Sequence, residues 1–246
     1  MDTLLLISIG VFIFGMMIGS FLNVVIYRIP KGESIVFPSS HCPKCNEKLK
    51  WYHNIPLLSW ISLGGKCAYC KEPISKQYPM VELLTGLLWL GLFIKLGLVW
   101  YFPFVAASFT ALLALTVIDI KYFAVPDSVN LFALVMALVQ VEYIDATIHA
   151  FEAAFGLWAL AKIISIVGKK EAMGGADVIV AGTMAALLGF PNFFLALFLS
   201  AILAIIPSLF AKDTMVPFVP FLAMATLIMY LFDTQAGQFL EWLMYG

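Results

Sequence analysis

Charge is what this 246-residue chain has least of: only 12% of its residues are Asp, Glu, Lys or Arg, about half the share of an ordinary soluble domain. With 63% of the residues hydrophobic, the need to fill a core does not explain the shortage, and a soluble globular domain is excluded. Basic residues are not in excess. The formal net charge is −1, which gives no attraction to nucleic acid. No internal repeat and no low-complexity tract is visible. The first apolar block, residues 4–27, lacks the positive flank of a signal peptide and is too long for one, so it reads as a retained helix. No G-x-G-x-x-G follows a strand pattern, which leaves no Rossmann-type cofactor site in view.

What is present is apolar sequence in blocks: residues 4–27, 81–98, 101–118, 128–141, 148–167, 177–190, 192–210 and 216–232. Most are long enough to cross a hydrocarbon layer of ~30 Å. Blocks so continuous are helices, because barrel strands are shorter and alternate. The fold class is therefore an all-α polytopic membrane protein with about eight transmembrane helices and one small polar domain. Blocks 128–141 and 177–190 are short and need flanking residues or shielding neighbours.

Eight of the 14 Lys and Arg fall between Arg28 and Lys76. Lys121, Lys169, Lys170 and Lys212 recur at every second crossing, Lys162 lies inside a span near its cytoplasmic end, and Lys95 stands alone in a different gap. The positive-inside bias puts residues 28–78 in the cytoplasm and the N-terminus outside. Three regions follow: a first transmembrane helix at 1–27, a cytoplasmic loop domain at 28–79, and a transmembrane domain at 80–246.

Two aspartates stand at membrane ends. Asp119 closes the third block and Asp177 opens the sixth, so alternation of the spans brings both to the cytoplasmic side. One reading makes them interfacial: Asp177 an N-cap after the glycines, Asp119 a partner of Lys121. The other is a two-carboxylate hydrolase, since ionisable groups at membrane depth usually face the interior and mark function. Two close carboxylates share a proton; one activates water while the other polarises the scissile carbonyl. Gly174 and Gly175 leave room for a substrate backbone. Asp127 rivals Asp119 for the first role, but Pro126 and Ser128 beside it suit a helix cap. Glu82 opens the second block as an inward-facing structural or second-site group, and Glu152 reads as structural or interfacial.

The loop carries all four cysteines as Cys42-x2-Cys45 and Cys67-x2-Cys70, with 21 residues between the pairs. Paired knuckles of this kind suit a four-thiolate zinc ion. Disulfides do not suit a reducing compartment, and a thioredoxin-like redox pair lacks its βαβ setting. Four cysteines complete the shell, so His41 and His53 read as neighbours. A zinc-containing transporter or scaffold would share this loop; the paired aspartates separate it from a peptidase.

Taken in order, "GSFLNVVIYRIP" (19–30), the double C-x-x-C loop, "WYHNIPLLSWISLGGKC" (51–67), "ISKQYPMVELLTG" (74–86), "VIDIKYFAVPDSVN" (117–130) and "MGGADVIVAG" (173–182) resemble the bacterial type IV prepilin leader peptidase/N-methyltransferase family, membrane aspartic peptidases of the GxGD class. The resemblance covers nearly the whole chain. It implies that Asp119 and Asp177 are the catalytic pair. It also implies prepilin or pseudopilin substrates cleaved after a glycine that ends a short basic leader, and methylation of the new N-terminus from S-adenosylmethionine in the inner membrane. Gly64, Gly65 and Glu82 are the candidates for the methyl-transfer site. The sequence departs from the family pattern Gly-x-Gly-Asp at Ala176, which stands in place of the second glycine. The backbone there must avoid any conformation that only glycine takes.

Overall fold

The computed structural model describes residues 2–168, 174–210, 216–235 and 238. Lys169, Lys170, Met173 and Lys212, which enter the sequence reading, lie outside them. Among the described residues the secondary structure is helical, with two isolated β-bridges. Five helices are long and apolar enough to cross a membrane and three shorter ones are also apolar, so the expected all-α, multi-pass architecture is present. The chain divides into two compact units between Leu98 and Val99.

The first unit is built on two antiparallel helices, α1 (Asp2–Arg28) and α3 (Gln77–Leu96), with the polar loop and the five-residue α2 (Leu58–Ser62) between them. In lipid, apolar side chains gain nothing by leaving their surroundings, so helices associate through close backbone approach. Here Gly15 and Gly19 supply it. A Cβ on Gly15 would lie 2.8 Å from Trp89 Cβ, and one on Gly19 would lie 2.8 Å from Glu82 Cα. Leu22, Ile26, Val81, Leu92 and Phe93 fill the rest of the seam. The sequence reading grouped α3 with the later helices, placing a boundary at 79/80. The glycine-lined contact ties α3 to α1, and the division into compact units falls after α3.

The second unit contains α4 (Phe102–Tyr122), α5 (Asp127–Leu138), α6 (Tyr143–Gly168), α7 (Gly175–Leu188), α8 (Asn192–Phe210) and α9 (Val219–Leu231). The α4 and α7 helices each pack on both α5 and α9, so these four form a ring with α4 and α7 facing across it. With 12, 14 and 13 residues, α5, α7 and α9 extend only about 18–21 Å. For α7, shielding by neighbours is the answer: every residue from Val180 to Leu187 is buried, enclosed by α5, α6, α8 and α9. Buried polar groups are spent on helix carbonyls. Ser108 Oγ donates to Ala133 O at 2.8 Å, joining α4 to α5, and Gln140 Nε2 donates to Ala186 O at 2.6 Å, joining the exit of α5 to α7.

Candidate active site and metal centre

Four helix ends of the second unit meet at one face of the ring: the C-terminus of α4 and the N-termini of α5, α7 and α9. Asp119 lies one turn before the end of α4 and is 7% exposed. Its Oδ2 accepts the backbone N–H of Val219, the first residue of α9, at 3.2 Å. No side chain of its own caps α9, whose cap position is Phe218, so Asp119 serves a helix start from a distant part of the chain. A carboxylate there is favoured by the helix dipole.

Asp177 is the third residue of α7, not its cap. Gly174 holds the cap position, in an extended conformation, with Asp177 N–H donating to its carbonyl at 3.2 Å. The Asp177 carboxylate in turn accepts the Gly174 amide N–H, which is one half of a capping box. Each aspartate is thus fixed by a helix N-terminus, and the two carboxyl groups lie within electrostatic range of one another. Ala176 sits in the first turn of α7 and takes no left-handed backbone angle. The second glycine of the expected pattern is therefore not required sterically at this point.

Asp127 occupies the exposed first position of α5, with Pro126 at the cap and no side-chain capping bond. Glu152 is exposed on α6. Sequence reasoning passed over Asn130, which is fully buried. Its Nδ2 donates to Ala176 O at 2.9 Å, while its Oδ1 is buried without a partner among the described residues. Asn130 thereby fixes the turn that carries Asp177. A buried amide four residues into a short apolar helix was the available signal.

In the first unit the cysteines form two copies of one turn. Cys42 N–H donates to Glu47 O, Asn46 N–H to Cys42 O and Leu49 N–H to Ser40 O. The same three bonds recur 25 residues on, from Cys67 to Glu72 O, Lys71 to Cys67 O and Ile74 to Gly65 O. Asn46 and Lys71, just after each pair, both take left-handed angles, φ 58° and 61°. A repeat too degenerate to notice in the sequence is thus present in the backbone. The four Sγ atoms lie within 4.8 Å of one another, Cys42 and Cys70 at 3.9 Å. Zinc–sulfur bonds of 2.3 Å at tetrahedral angles require about 3.8 Å, so the cluster could hold a zinc ion. Backbone N–H groups of Cys70 and Tyr69 bring the Cys67 thiol down to about 7. Cys70, although the Glu72 amide favours its thiolate, is pushed up to about 12 by burial and by the Cys67, Cys45 and Cys42 sulfurs. Such crowding calls for a cation. His53 is stacked edge-on between Tyr52 and Tyr69 and His41 bonds Ser39 O; the metal-competent group consists of cysteines only.

Residues 13–96 match the family described as Bacterial Peptidase A24 N-terminal domain, and residues 106–209 match the Type IV leader peptidase family. A prepilin leader peptidase/N-methyltransferase of Stutzerimonas stutzeri is 30% identical over 91% of this chain and 90% of its own length. The protein of the same name from Pseudomonas aeruginosa is 31% identical over 90% of this chain and 89% of its own. The chain belongs to the type IV leader peptidase family. A further relative with that name, from Myxococcus xanthus, is 37% identical over 74% of this chain, which spans 56% of the relative's length. No solved structure matches. The two family segments of this leader peptidase relative end and begin on either side of the division between its two units.

The remaining candidates lie in the first unit. Gly64 and Gly65 have φ of 61° and 69°. They turn the chain from α2 into the second knuckle, and a Cβ on Gly65 would meet the Trp60 ring at 2.8 Å. Turn geometry and packing thus account for both glycines. Glu82 is buried, and its Oε2 accepts the Leu57 N–H at 2.8 Å. Leu57 takes φ 60°, ψ −50°, a conformation costing a leucine about 1–3 kcal/mol. Nothing in the sequence marks Leu57 as Glu82's partner.

Proposed function

We propose that this chain removes the short basic leader from type IV prepilins or pseudopilins at the cytoplasmic face of the bacterial inner membrane, then N-methylates the new N-terminus with S-adenosylmethionine as methyl donor. The observation that carries the reading is the placement of Asp119 and Asp177 at one face of the helical ring, each held by a helix N-terminus and each in range of the other's charge.

Two such carboxylates hold one proton between them, and the titration belongs to the pair. The ionised member takes a proton from water as the water oxygen attacks the scissile carbonyl carbon. The protonated member donates a hydrogen bond to the carbonyl oxygen, and the leaving amine departs with a proton. Asn130 and Val219 keep the two acids in register. Gly174 and Gly175 are exposed beside Asp177, and no described residue approaches within 4 Å of a Cβ placed on Gly175, so an extended substrate backbone can come close. Ala176 adds only a methyl group.

The basic loop favours an inside location for residues 28–78 and an outside N-terminus; a basic leader would stay with the loop while its apolar stem enters the bilayer. Cys42, Cys45, Cys67 and Cys70 would hold Zn2+ as a structural ion, supplying folding energy to a loop with little core. S-adenosylmethionine supplies an electrophilic methyl group when bound. Of its candidate contacts, Gly64 and Gly65 are already used by the turn, which leaves Glu82.

The test is to incubate the purified protein with a prepilin and labelled S-adenosylmethionine and weigh the product. Loss of the leader plus one methyl is expected. Loss of the leader alone would reduce the reading to a peptidase, and an unchanged substrate would refute it.

A further inference from the structure

Glu82 is a buried carboxylate that meets no cation among the described residues. It lies in the second turn of α3, about 7.5 Å along the axis from the helix start at Gln77, and it is 7% exposed. Its partners are the Leu57 amide at 2.8 Å and the Ser20 hydroxyl, both neutral donors. Thr85 Oγ1 is turned to Val81 O at 2.7 Å. The buried guanidinium of Arg28 is spent on Ser34 O and Pro38 O at 2.9 and 2.7 Å. No charged side chain of the described residues acts on Glu82. If the only task were to accept one amide and one hydroxyl, a glutamine would serve without the cost of burying a charge. An ionisable residue kept at this depth points to a charged partner. One of the donors it now holds comes from a strained backbone, since Leu57 presents its N–H at φ 60°, ψ −50°.

We infer that Glu82 receives the new α-ammonium group of the cleaved substrate, in exchange for the Leu57 N–H, and takes its proton so that the amine can be methylated. This rests on the methyltransferase reading above and assigns the residue that prepares its nucleophile. An ammonium is protonated and has no lone pair. Transfer of one proton to the Glu82 carboxylate leaves a neutral amine. The amine lone pair then forms the N–C bond to the donor's methyl carbon as the C–S bond breaks, with that electron pair staying on sulfur. The product is a secondary ammonium, the by-product a neutral thioether, and Glu82 returns its proton to water. The sulfonium of the donor is also a cation, but it has no hydrogen to donate. Glu82 is surrounded by hydrogen-bond donors, and an ammonium replaces a donor in kind.

Glu82→Gln keeps the side-chain shape and an acceptor for Leu57 while removing the charge. In the full-length protein in nanodiscs, methylation of cleaved substrate should fall at least about 100-fold relative to cleavage in the same sample, the lower range for loss of a general base. A second measurement uses no methyl donor. Wild type should bind a synthetic Phe-first pilin-stem peptide with a free N-terminus at least tenfold more tightly than its N-acetylated form, and Glu82→Gln should bind both alike. Full methylation by Glu82→Gln, or an undiminished preference for the free amine, would reduce Glu82 to a strut and overturn the assignment. If Glu82→Gln loses cleavage too, Glu82→Asp decides: retained free-amine preference supports the assignment and equal binding overturns it. Wild type that cleaves but never methylates would instead refute the methyltransferase reading, a result separable from any of these.

Discussion

Val219 donates its backbone N–H to Asp119 Oδ2 at 3.2 Å across 100 residues of sequence. One carboxylate thus both starts α9 and forms half of the candidate catalytic pair. These roles can be separated because an asparagine keeps an acceptor oxygen for Val219 but cannot hold the shared proton or a full charge. Asp119→Asn should cut prepilin cleavage by about 10³-fold or more, with the thermal transition in detergent nearly unmoved. Asp119→Ala should lose activity and also about 1 kcal/mol of stability, as for a lost helix cap. Asp177→Asn should match Asp119→Asn, since its bond to the Gly174 amide needs only an oxygen. Mass analysis of the substrate beside unfolding curves checks all three; normal processing by either asparagine variant would remove the pair from the mechanism.

Asn130 offers a subtler test. Its Nδ2 bond to Ala176 O holds the first turn of α7, while its Oδ1 is buried and unmatched. Replacing it by leucine removes a bond worth about 1 kcal/mol and also the cost of the unmatched oxygen. The two effects oppose, so Asn130→Leu should shift stability by less than about 1 kcal/mol. Cleavage should nonetheless fall about tenfold, the change carried by kcat, because the Asp177 turn is no longer pinned. A steady-state comparison of kcat and KM decides the matter, and a change confined to KM would contradict it.

The apolar blocks made the helices legible, and basic-residue spacing and paired cysteines made the loop legible, because each depends on neighbours in sequence. The partnership of α3 with α1 was also encoded, in Gly15-x3-Gly19 and Gly86, but glycines inside apolar helices are common enough to pass unnoticed. Asp119 and Asp177 stood out as charges in apolar surroundings. Their supports did not: Val219 contributes only a backbone amide, and Asn130 reaches Ala176 from 46 residues away. The alternative reading of Asp177 as an N-cap does not hold, for a local reason. Gly174 begins the helix in extended conformation, which places the carboxylate three positions inside the cap, where it bonds back to it.

The α1–α3 seam predicts a steep response to one methyl group. A Cβ on Gly19 would lie 2.8 Å from the Glu82 backbone and 3.0 Å from Thr85, and backbone cannot rotate aside. Gly19→Ala should therefore destabilise the first unit by about 1–3 kcal/mol, the usual cost of overpacking. Gly91→Ala is the control: it lies in the same pair of helices with no described residue within 4 Å of the added carbon, and should be neutral or stabilising by up to about 1 kcal/mol through helix propensity. Thermal unfolding of the two variants in the same detergent measures the difference. Equal transitions would mean that the seam opens without cost.

The two cysteine turns set the behaviour of the loop toward metal. With Sγ atoms already within 4.8 Å, one Zn2+ per chain is expected, and replacing all four cysteines by serine should abolish it; full occupancy in that variant would refute the site. Ligation requires thiolates, so protons compete with the ion. Retention should weaken as pH falls, most steeply below the region near 7 where the Cys67 thiolate is favoured by the Cys70 and Tyr69 amides. Metal supplies folding energy where core is scarce, and between Ile29 and Lys76 the cysteines Cys42 and Cys67 supply the buried hydrophobic residues. Chelation should therefore leave α1 and α3 protected by detergent while the loop between them becomes a site of rapid proteolysis. Limited digestion with and without chelator, followed by mass analysis, reads this directly. Cleavage at equal rates in both samples would show that the two knuckles hold their shape without the ion.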